Sequence, residues 1–235
     1  LVALALVLAI KELAHAFSST DTYVSKRSLM LASVVLSAAA WIAGIRGLAI
    51  GLAVSLILML VLLLRRGTKG FVASASASVF ALVYLPFLTG FLILLARPSN
   101  GLEQIMVFVI LVASNDTFAY VTGVLIGKHP MAPAISPKKT WEGLAGSIIF
   151  TTVLGFVSFD GILNLNPWVG AATGLLIVFT ATTGDLIESA IKRDFAIKDM
   201  GNLLPGHGGV MDRLDSIVTS APALWLVLEL VKYYS

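Results

Sequence analysis

Two pairs of acidic residues near the end of the chain have the spacing of a shared helix face. Asp185 and Glu188 are three residues apart, and so are Asp212 and Asp215. Residues three apart on a helix project to the same side. Converging carboxylates repel one another unless a cation lies among them, and their hard oxygen atoms select Mg²⁺, Mn²⁺ or Ca²⁺. The sequence therefore predicts a metal site formed by these four side chains.

Basic residues are interleaved with these acids. They are Lys192, Arg193, Lys198 and Arg213. Interleaved cations indicate a site that also holds phosphate. Gly206, Gly208 and Gly209 precede the last apolar segment, where open backbone N–H groups can bind a further anion. Metal, cations and open amides together favour phosphoryl or nucleotidyl transfer, in which triphosphate charge must be neutralised.

His207 lies between these glycines and is predicted to contact phosphate or to pack within the loop. A general base is not required, because a phosphate monoester is already anionic near pH 7, with a second pKa of about 6. A purely structural alternative stays open for the basic residues. Lys192, Arg193 and Lys198 could instead form ion pairs with Glu188, Asp194 and Asp199.

A second polar stretch lies upstream. Ser136, Lys138 and Lys139 stand in a proline-containing connection and are predicted contacts for phosphate. Asp116 lies inside an apolar run, where it could contact metal or ribose, or could pair with a lysine. Thr140 is predicted to cap the helix that follows.

The composition places these residues in a membrane protein. The chain has 235 residues, of which 58% are hydrophobic and 12% charged, and its mean hydropathy is +0.95. Soluble domains have about 45–50% apolar and about 25% charged residues. The net charge of +3 is weakly informative, and the absence of cysteine excludes disulfides, thiolate nucleophiles and Cys-ligated metals.

The predicted fold is all-α and polytopic, with about eight transmembrane helices and an N-terminal helix that is truncated or missing. The predicted spans are 1–16, 29–43, 47–64, 71–96, 103–126, 142–157, 168–192 and 209–232. Pro86 lies within 71–96, which is expected to cross once as a kinked helix.

The distribution of basic residues predicts the orientation. Basic residues concentrate in the connections 17–28, 65–70, 127–141 and 193–208, whereas the alternating connections hold few. Basic loops mark the cytoplasmic side. We therefore expect a bacterial-type inner or plasma membrane protein whose active site faces the cytoplasm. Residues 1–100 are helices without a motif, and 101–235 form the catalytic region with cytoplasmic loops 127–141 and 193–208.

Two stretches of polar residues at fixed positions resemble a known family. The matching residues are 115–120, 127–128, 135–143, 189–193, 198–199, 204–209 and 212–215. They resemble the motifs of the phosphatidate cytidylyltransferase (CDP-diacylglycerol synthase) family. The N-terminal hundred residues agree only in being apolar helices.

The resemblance implies a reaction in which CTP and phosphatidic acid give CDP-diacylglycerol and pyrophosphate. It implies Mg²⁺, as one or two cations with Mn²⁺ as a substitute, a homodimer embedded in the membrane, and no nucleic-acid partner. The residues expected to carry out the reaction are Asp185, Asp212, Asp215, Lys192 and Arg193. The remaining predicted substrate contacts are Asp116, Ser136, Lys138, Lys139, Lys198, His207, Gly208, Gly209 and Arg213.

Three alternatives stay open at this stage. One is a CTP-dependent polyprenol kinase, and the second is a CDP-alcohol phosphotransferase, although the acidic motif usual for that class is not found here. The third is an ion transporter with acids on broken helices. Clustering of the polar residues toward one predicted face of the membrane disfavours a transporter.

Overall fold

The structure, a computed structural model, describes residues 2–17, 22–201 and 209–234. Over these ranges the chain is mainly helical, as predicted. Its α-helices are α1 (Val2–Phe17), α2 (Lys26–Leu64), α3 (Phe71–Leu82), α4 (Leu88–Ala96), α5 (Gly101–Ile126), α6 (Trp141–Ser158), α7 (Pro167–Asp194) and α8 (Asp215–Tyr234). Two short strands, β1 (Pro130–Ala132) and β2 (Ser136–Thr140), were not predicted.

Six helical segments of the described chain are long and apolar enough to cross a membrane. They are Lys26–Leu64, Phe71–Ala96, Gly101–Ile126, Trp141–Leu163, Pro167–Asp194 and Asp215–Tyr234. The predicted count of about eight is not confirmed, because α1 has 16 residues and the predicted spans 29–43 and 47–64 fall within the single segment α2. The polytopic helical membrane class agrees with these segments.

The long helix α2 is interrupted at one glycine. Gly44 has φ 62° and ψ −145°, which lies outside the helical region and is accessible mainly to glycine. A Cβ added at Gly51 would lie 3.5 Å from the Cβ of Ala39 and 3.7 Å from the Cα of Leu36. Residues on both sides of Gly44 are therefore in contact, so the two halves of α2 fold back on each other.

The region around Pro86 forms one helical run, in agreement with the predicted kinked segment 71–96. A π-helical turn at Val83–Phe87 joins α3 to α4 and contains Pro86. Proline has no backbone N–H and breaks the regular helical ladder, and a wider turn accommodates it.

The chain divides into two compact units. The first comprises Leu1–Leu94 and Asp194–Leu214, and the second Leu95–Arg193 and Asp215–Ser235. In the first unit α1 packs against α2 and α3, with Ile10 and Leu13 fully buried. The segment Asp194–Leu214, which carries much of the downstream motif, thus groups with the N-terminal helices.

In the second unit, helices pack closely where glycines face each other. A Cβ added at Gly155 of α6 would collide with the backbone oxygen of Gly170 on α7, and one at Gly174 would collide with the backbone oxygen of Thr151. A buried hydrogen bond of 3.0 Å joins the hydroxyls of Ser114 on α5 and Thr151 on α6. Small residues that allow backbones to approach are a common basis of helix packing in lipid.

Gly155→Ala is expected to destabilise the second unit by about 1–3 kcal/mol, because the added methyl group meets a backbone atom that cannot rotate away. Gly161→Ala is the matched control, since nothing lies within 4 Å of a Cβ added there. The free energy of unfolding in mixed micelles measures both changes. Equal stability of the two variants would contradict this packing.

The connection between α5 and α6 is an antiparallel hairpin. In β1 and β2, Pro130 pairs with Thr140, and Ala132 with Ser136. The hydroxyl of Thr140 accepts a hydrogen bond of 3.1 Å from the backbone N–H of Gly143, which confirms the predicted helix cap. The Glu142 carboxylate accepts hydrogen bonds from the backbone N–H groups of Lys128 (3.1 Å) and His129 (3.2 Å).

Candidate active site

The first acidic side chain of the candidate site lies on α5. Asp116 Oδ1 accepts a hydrogen bond of 3.0 Å from Asn115 Nδ2, and its Oδ2 accepts one of 3.3 Å from the hydroxyl of Ser216 on α8. Asn115 is almost completely buried, at 1% exposure. These contacts join the upstream motif to the first turn of α8, which also carries Asp215.

The second acidic side chain is paired with a lysine of the hairpin. Lys139 on β2 forms an ion pair with the carboxylate of Asp185 on α7, and both side chains are largely shielded from solvent. Lys139 was predicted to contact phosphate and Asp185 to bind metal. The structure places these two residues in direct contact, which the sequence did not predict.

The third acidic side chain, Asp215, begins α8 beside α7. A Cβ added at Gly184 of α7 would collide with the backbone oxygen of Asp215, so the missing side chain of Gly184 allows this approach. Thr180 on α7 also donates a hydrogen bond of 3.1 Å to the hydroxyl of Ser220 on α8. The Asp215 carboxylate interacts electrostatically with those of Asp185 and Asp116.

This group of carboxylates has the chemistry of a hard-cation site. Mg²⁺ prefers oxygen ligands, and the site offers them from the carboxylates of Asp116, Asp185 and Asp215 and from the Ser216 hydroxyl. Across residues 2–17, 22–201 and 209–234, however, no three acidic or histidine side chains converge tightly enough to hold a metal as they stand. In this arrangement the ammonium of Lys139 provides the positive charge beside Asp185.

Two further predicted residues on α7 form ion-pair and backbone contacts. Lys192 pairs with Glu188 at 2.5 Å, and Glu188 is only 2% exposed. This is the ion pair that the structural alternative anticipated. Arg193 Nε donates a hydrogen bond of 3.3 Å to the backbone oxygen of Ile135, at the turn of the hairpin. Arg193 therefore connects the end of α7 to the loop that carries Ser136 and Lys138.

The remaining candidate side chains are one serine and three basic residues. Lys138 is exposed on β2, and Ser136 is partly exposed at its start. Lys198 and Arg213 are exposed residues of the first unit. Their predicted substrate contacts stay predictions.

The connection between α7 and α8, termed the downstream loop, contacts the Asp212 side chain at Met200 and Gly209. Asp212 Oδ2 accepts hydrogen bonds from the backbone N–H groups of Gly209 (2.6 Å) and Met200 (3.1 Å). The Gly209 amide, predicted to be open for an anion, thus donates within the chain. His207 and Gly208, like Gly206, lie outside the described residues, and the substrate roles of Gly209, His207 and Gly208 stay predictions.

Sequence reasoning missed three residues that the structure connects to the motifs: Asn115, Ser216 and Glu12. Asn115 and Ser216 adjoin Asp116 and Asp215, so a polar neighbour inside an apolar run was the available signal. Glu12 lies near the end of the predicted span 1–16 and outside the motifs, so the only available signal was an acid in a mainly apolar segment. The structure buries it against the Asp212 loop.

Comparison with known proteins adds independent evidence. The chain is 47% identical over 161 residues to a phosphatidate cytidylyltransferase of Mycobacterium bovis, covering 68% of this chain and 53% of that protein. It is 34% identical over 206 residues to one of Staphylococcus haemolyticus, covering 87% and 77%. The chain spans about half the length of its mycobacterial relatives. The model of the cytidylyltransferase family matches residues 1–231, and the chain therefore belongs to that family.

Proposed function

We propose that this chain transfers a cytidylyl group from CTP to phosphatidic acid, giving CDP-diacylglycerol and pyrophosphate. The relatives bear the name of this activity. The observation that carries the proposal is the group of three carboxylates, Asp116, Asp185 and Asp215, with Lys139 paired to Asp185. Carboxylates beside the flexible side chain of a lysine suit a site that must bind both a divalent cation and a triphosphate.

The reaction needs no covalent intermediate on the protein. An oxygen of the lipid phosphate forms a bond to the α-phosphorus of CTP, while the bond from that phosphorus to the oxygen bridging to the β-phosphorus breaks. Pyrophosphate leaves with the electron pair and the negative charge. Because the attacking phosphate monoester is already anionic near pH 7, no side chain has to remove a proton.

The side chains of the second unit have distinct roles in this proposal. Asp116, Asp185 and Asp215 would hold Mg²⁺, with Lys139 released from Asp185 to neutralise phosphate charge. Lys192 and Arg193 add positive charge at the end of α7. A bound divalent cation supplies charge stabilisation to the phosphoryl oxygens and orients the leaving group. The protein's own contribution is to align the attacking oxygen with the leaving pyrophosphate.

The membrane setting follows from the apolar helices and the basic loops. We propose that the active site faces the cytoplasm, because Lys138 and Lys139 lie in a basic connection. CTP is a charged, water-soluble substrate, whereas phosphatidic acid lies in the bilayer, so a site at the membrane boundary can reach both. We further propose that the protein acts as a homodimer, as the family resemblance implies.

Transfer of label from CTP tests the proposed function. Purified protein in micelles containing phosphatidic acid is incubated with CTP labelled at the α- or the γ-phosphate, with Mg²⁺ or with EDTA. We expect α-label to enter the lipid and γ-label to appear in pyrophosphate, only with Mg²⁺. ATP, GTP and UTP are expected to react poorly.

The same assay separates the alternatives. Entry of γ-label into lipid would instead indicate a kinase. Consumption of CDP-diacylglycerol and an alcohol without CTP would indicate a CDP-alcohol phosphotransferase. Ion flux into proteoliposomes in the absence of CTP, with no pyrophosphate release, would favour a transporter and refute the proposal.

A further inference from the structure

Glu12 is a buried carboxylate in a mainly apolar helix of the first unit. It is 6% exposed and lies on α1. Its Oε1 accepts a hydrogen bond of 3.0 Å from the backbone N–H of Val210, and its Oε2 accepts one of 2.8 Å from that of Met211. Burying a carboxylate is costly unless its oxygens are hydrogen-bonded, and here both are. The contact joins residues that are nearly two hundred positions apart in the sequence.

Glycines on both sides of the downstream loop leave room for this carboxylate. A Cβ added at Gly209 would lie 2.5 Å from Glu12 Oε2, and one at Gly201 would lie even closer to Oε1. Both distances are shorter than real Cβ contacts. The two glycines precede and follow residues 202–208, so Glu12 contacts the chain where it enters and where it leaves that stretch.

Two other contacts hold the same segment. Asp212 accepts hydrogen bonds from the backbone of Met200 and Gly209, which brings the two ends of the loop together. The rings of Phe17 on α1 and Phe195 pack edge to face, with their centroids 5.0 Å apart. Together with Glu12, these contacts hold Phe195, Met200 and residues 209–211 within the first unit.

We propose that Glu12 is a positioning residue: its carboxylate sets the conformation of the loop that carries Gly209, Asp212 and Arg213. The catalytic consequence rests on the proposed cytidylyltransferase function, whereas the conformational one does not. Glu12 acts through the backbone of Val210 and Met211 and does not itself have to contact a substrate.

The carboxylate is specifically suited to this position because it has two acceptor oxygens and no donor. A glutamine at the same place would present its NH₂ group to one of the two backbone N–H groups, leaving a buried donor without an acceptor. Glu12→Gln therefore preserves shape and volume but removes one hydrogen bond. Glu229→Gln on the exposed surface of α8 is the matched control.

The main experiment measures hydrogen–deuterium exchange of the purified protein in micelles. In Glu12→Gln we expect exchange in peptides containing Val210 and Met211 to be about tenfold faster, with the other helices unchanged. We expect kcat for cytidylyl transfer to fall about 10- to 100-fold, because small misplacements of a site are costly, while KM for CTP and the melting temperature change little. Glu229→Gln is expected to match the parent protein in exchange, kcat, KM and melting temperature.

A double substitution keeps the test decisive if one variant folds poorly. Gly201→Ala alone is expected to speed exchange at Val210 and Met211, but to add nothing in a Glu12→Ala background, where the obstructing side chain is gone. Unchanged exchange in Glu12→Gln, or equal effects of Gly201→Ala in both backgrounds, would overturn the proposal. If the parent protein shows no CTP-dependent activity and Glu12→Gln still speeds exchange, the proposed function is refuted and the positioning role stands.

Discussion

Asp185→Asn is expected to lower cytidylyl transfer by about 10³-fold or more. Asp185 interacts electrostatically with Asp116 and Asp215, and it is also the ion-pair partner of Lys139. Removing its charge would weaken the proposed cation site and leave the half-buried ammonium of Lys139 without its counter-charge. A bound cation contributes several kcal/mol of charge stabilisation, and each 1.4 kcal/mol is a factor of about ten in rate.

The measurement is α-label transfer at several Mg²⁺ concentrations, because a weakened cation site also shifts the Mg²⁺ requirement upward. Asp160→Asn is the matched control: Asp160 is an exposed acid in the π-helical turn that follows α6 of the same unit. We expect the control to retain parent activity and the parent Mg²⁺ dependence. An Asp185→Asn enzyme with near-parent turnover would remove Asp185 from the proposed site.

Pairing Asp185→Asn with Lys139→Gln refines this result. Because Lys139 is proposed to leave Asp185 and neutralise phosphate charge, we expect Lys139→Gln to add a loss of its own, so that the double variant is less active than Asp185→Asn alone. A double variant no less active than Asp185→Asn would instead show that Lys139 acts only as the ion-pair partner of Asp185.

The helical segments and motif positions followed directly from the sequence. Apolar runs of about 20 residues bounded by basic or turn residues identify membrane helices well, because lipid requires their backbones to be internally hydrogen-bonded. The sequence also predicted the helix cap at Thr140, whose hydroxyl caps α6. Asp116 and Asp215 were singled out because acids are expensive inside apolar segments.

Contacts between distant parts of the chain were not predictable in the same way. The pairing of Lys139 with Asp185 depends on how the hairpin meets α7, which no local pattern encodes. The strands β1 and β2 are short and contain Pro130 and Pro137, so their sequence looks like an ordinary loop. The role of Glu12 depends on backbone amides about two hundred residues away.

The number of spans also depends on tertiary structure. Gly44 and Gly47 each permit a break or a close approach, and composition alone does not decide whether a mainly apolar segment of 39 residues is one helix or two. The positive φ of Gly44 marks the point of interruption, only one residue after the predicted span 29–43. A sequence pattern located the break to within a few residues but could not establish the count.

Asp212→Asn is expected to lose about 10²- to 10³-fold in turnover while the loop keeps its conformation. The Asp212 oxygen that accepts from Gly209 and Met200 can be replaced by the amide oxygen of asparagine, so both backbone hydrogen bonds can persist. What the substitution removes is the negative charge, which the sequence motif predicts to serve cation binding. In this variant, turnover is therefore expected to fall while hydrogen exchange at Gly209–Met211 stays at the parent rate.

Asp212→Ala completes the comparison because it removes both the charge and the acceptor. We expect it to lose turnover as Asp212→Asn does and, in addition, to speed exchange at Gly209 and Met200, while the control Asp160→Asn changes neither. Near-parent turnover in Asp212→Asn, with loss only in Asp212→Ala, would show that Asp212 acts solely by closing the loop. In that case the cation-binding role that the sequence motif predicts for Asp212 would be wrong.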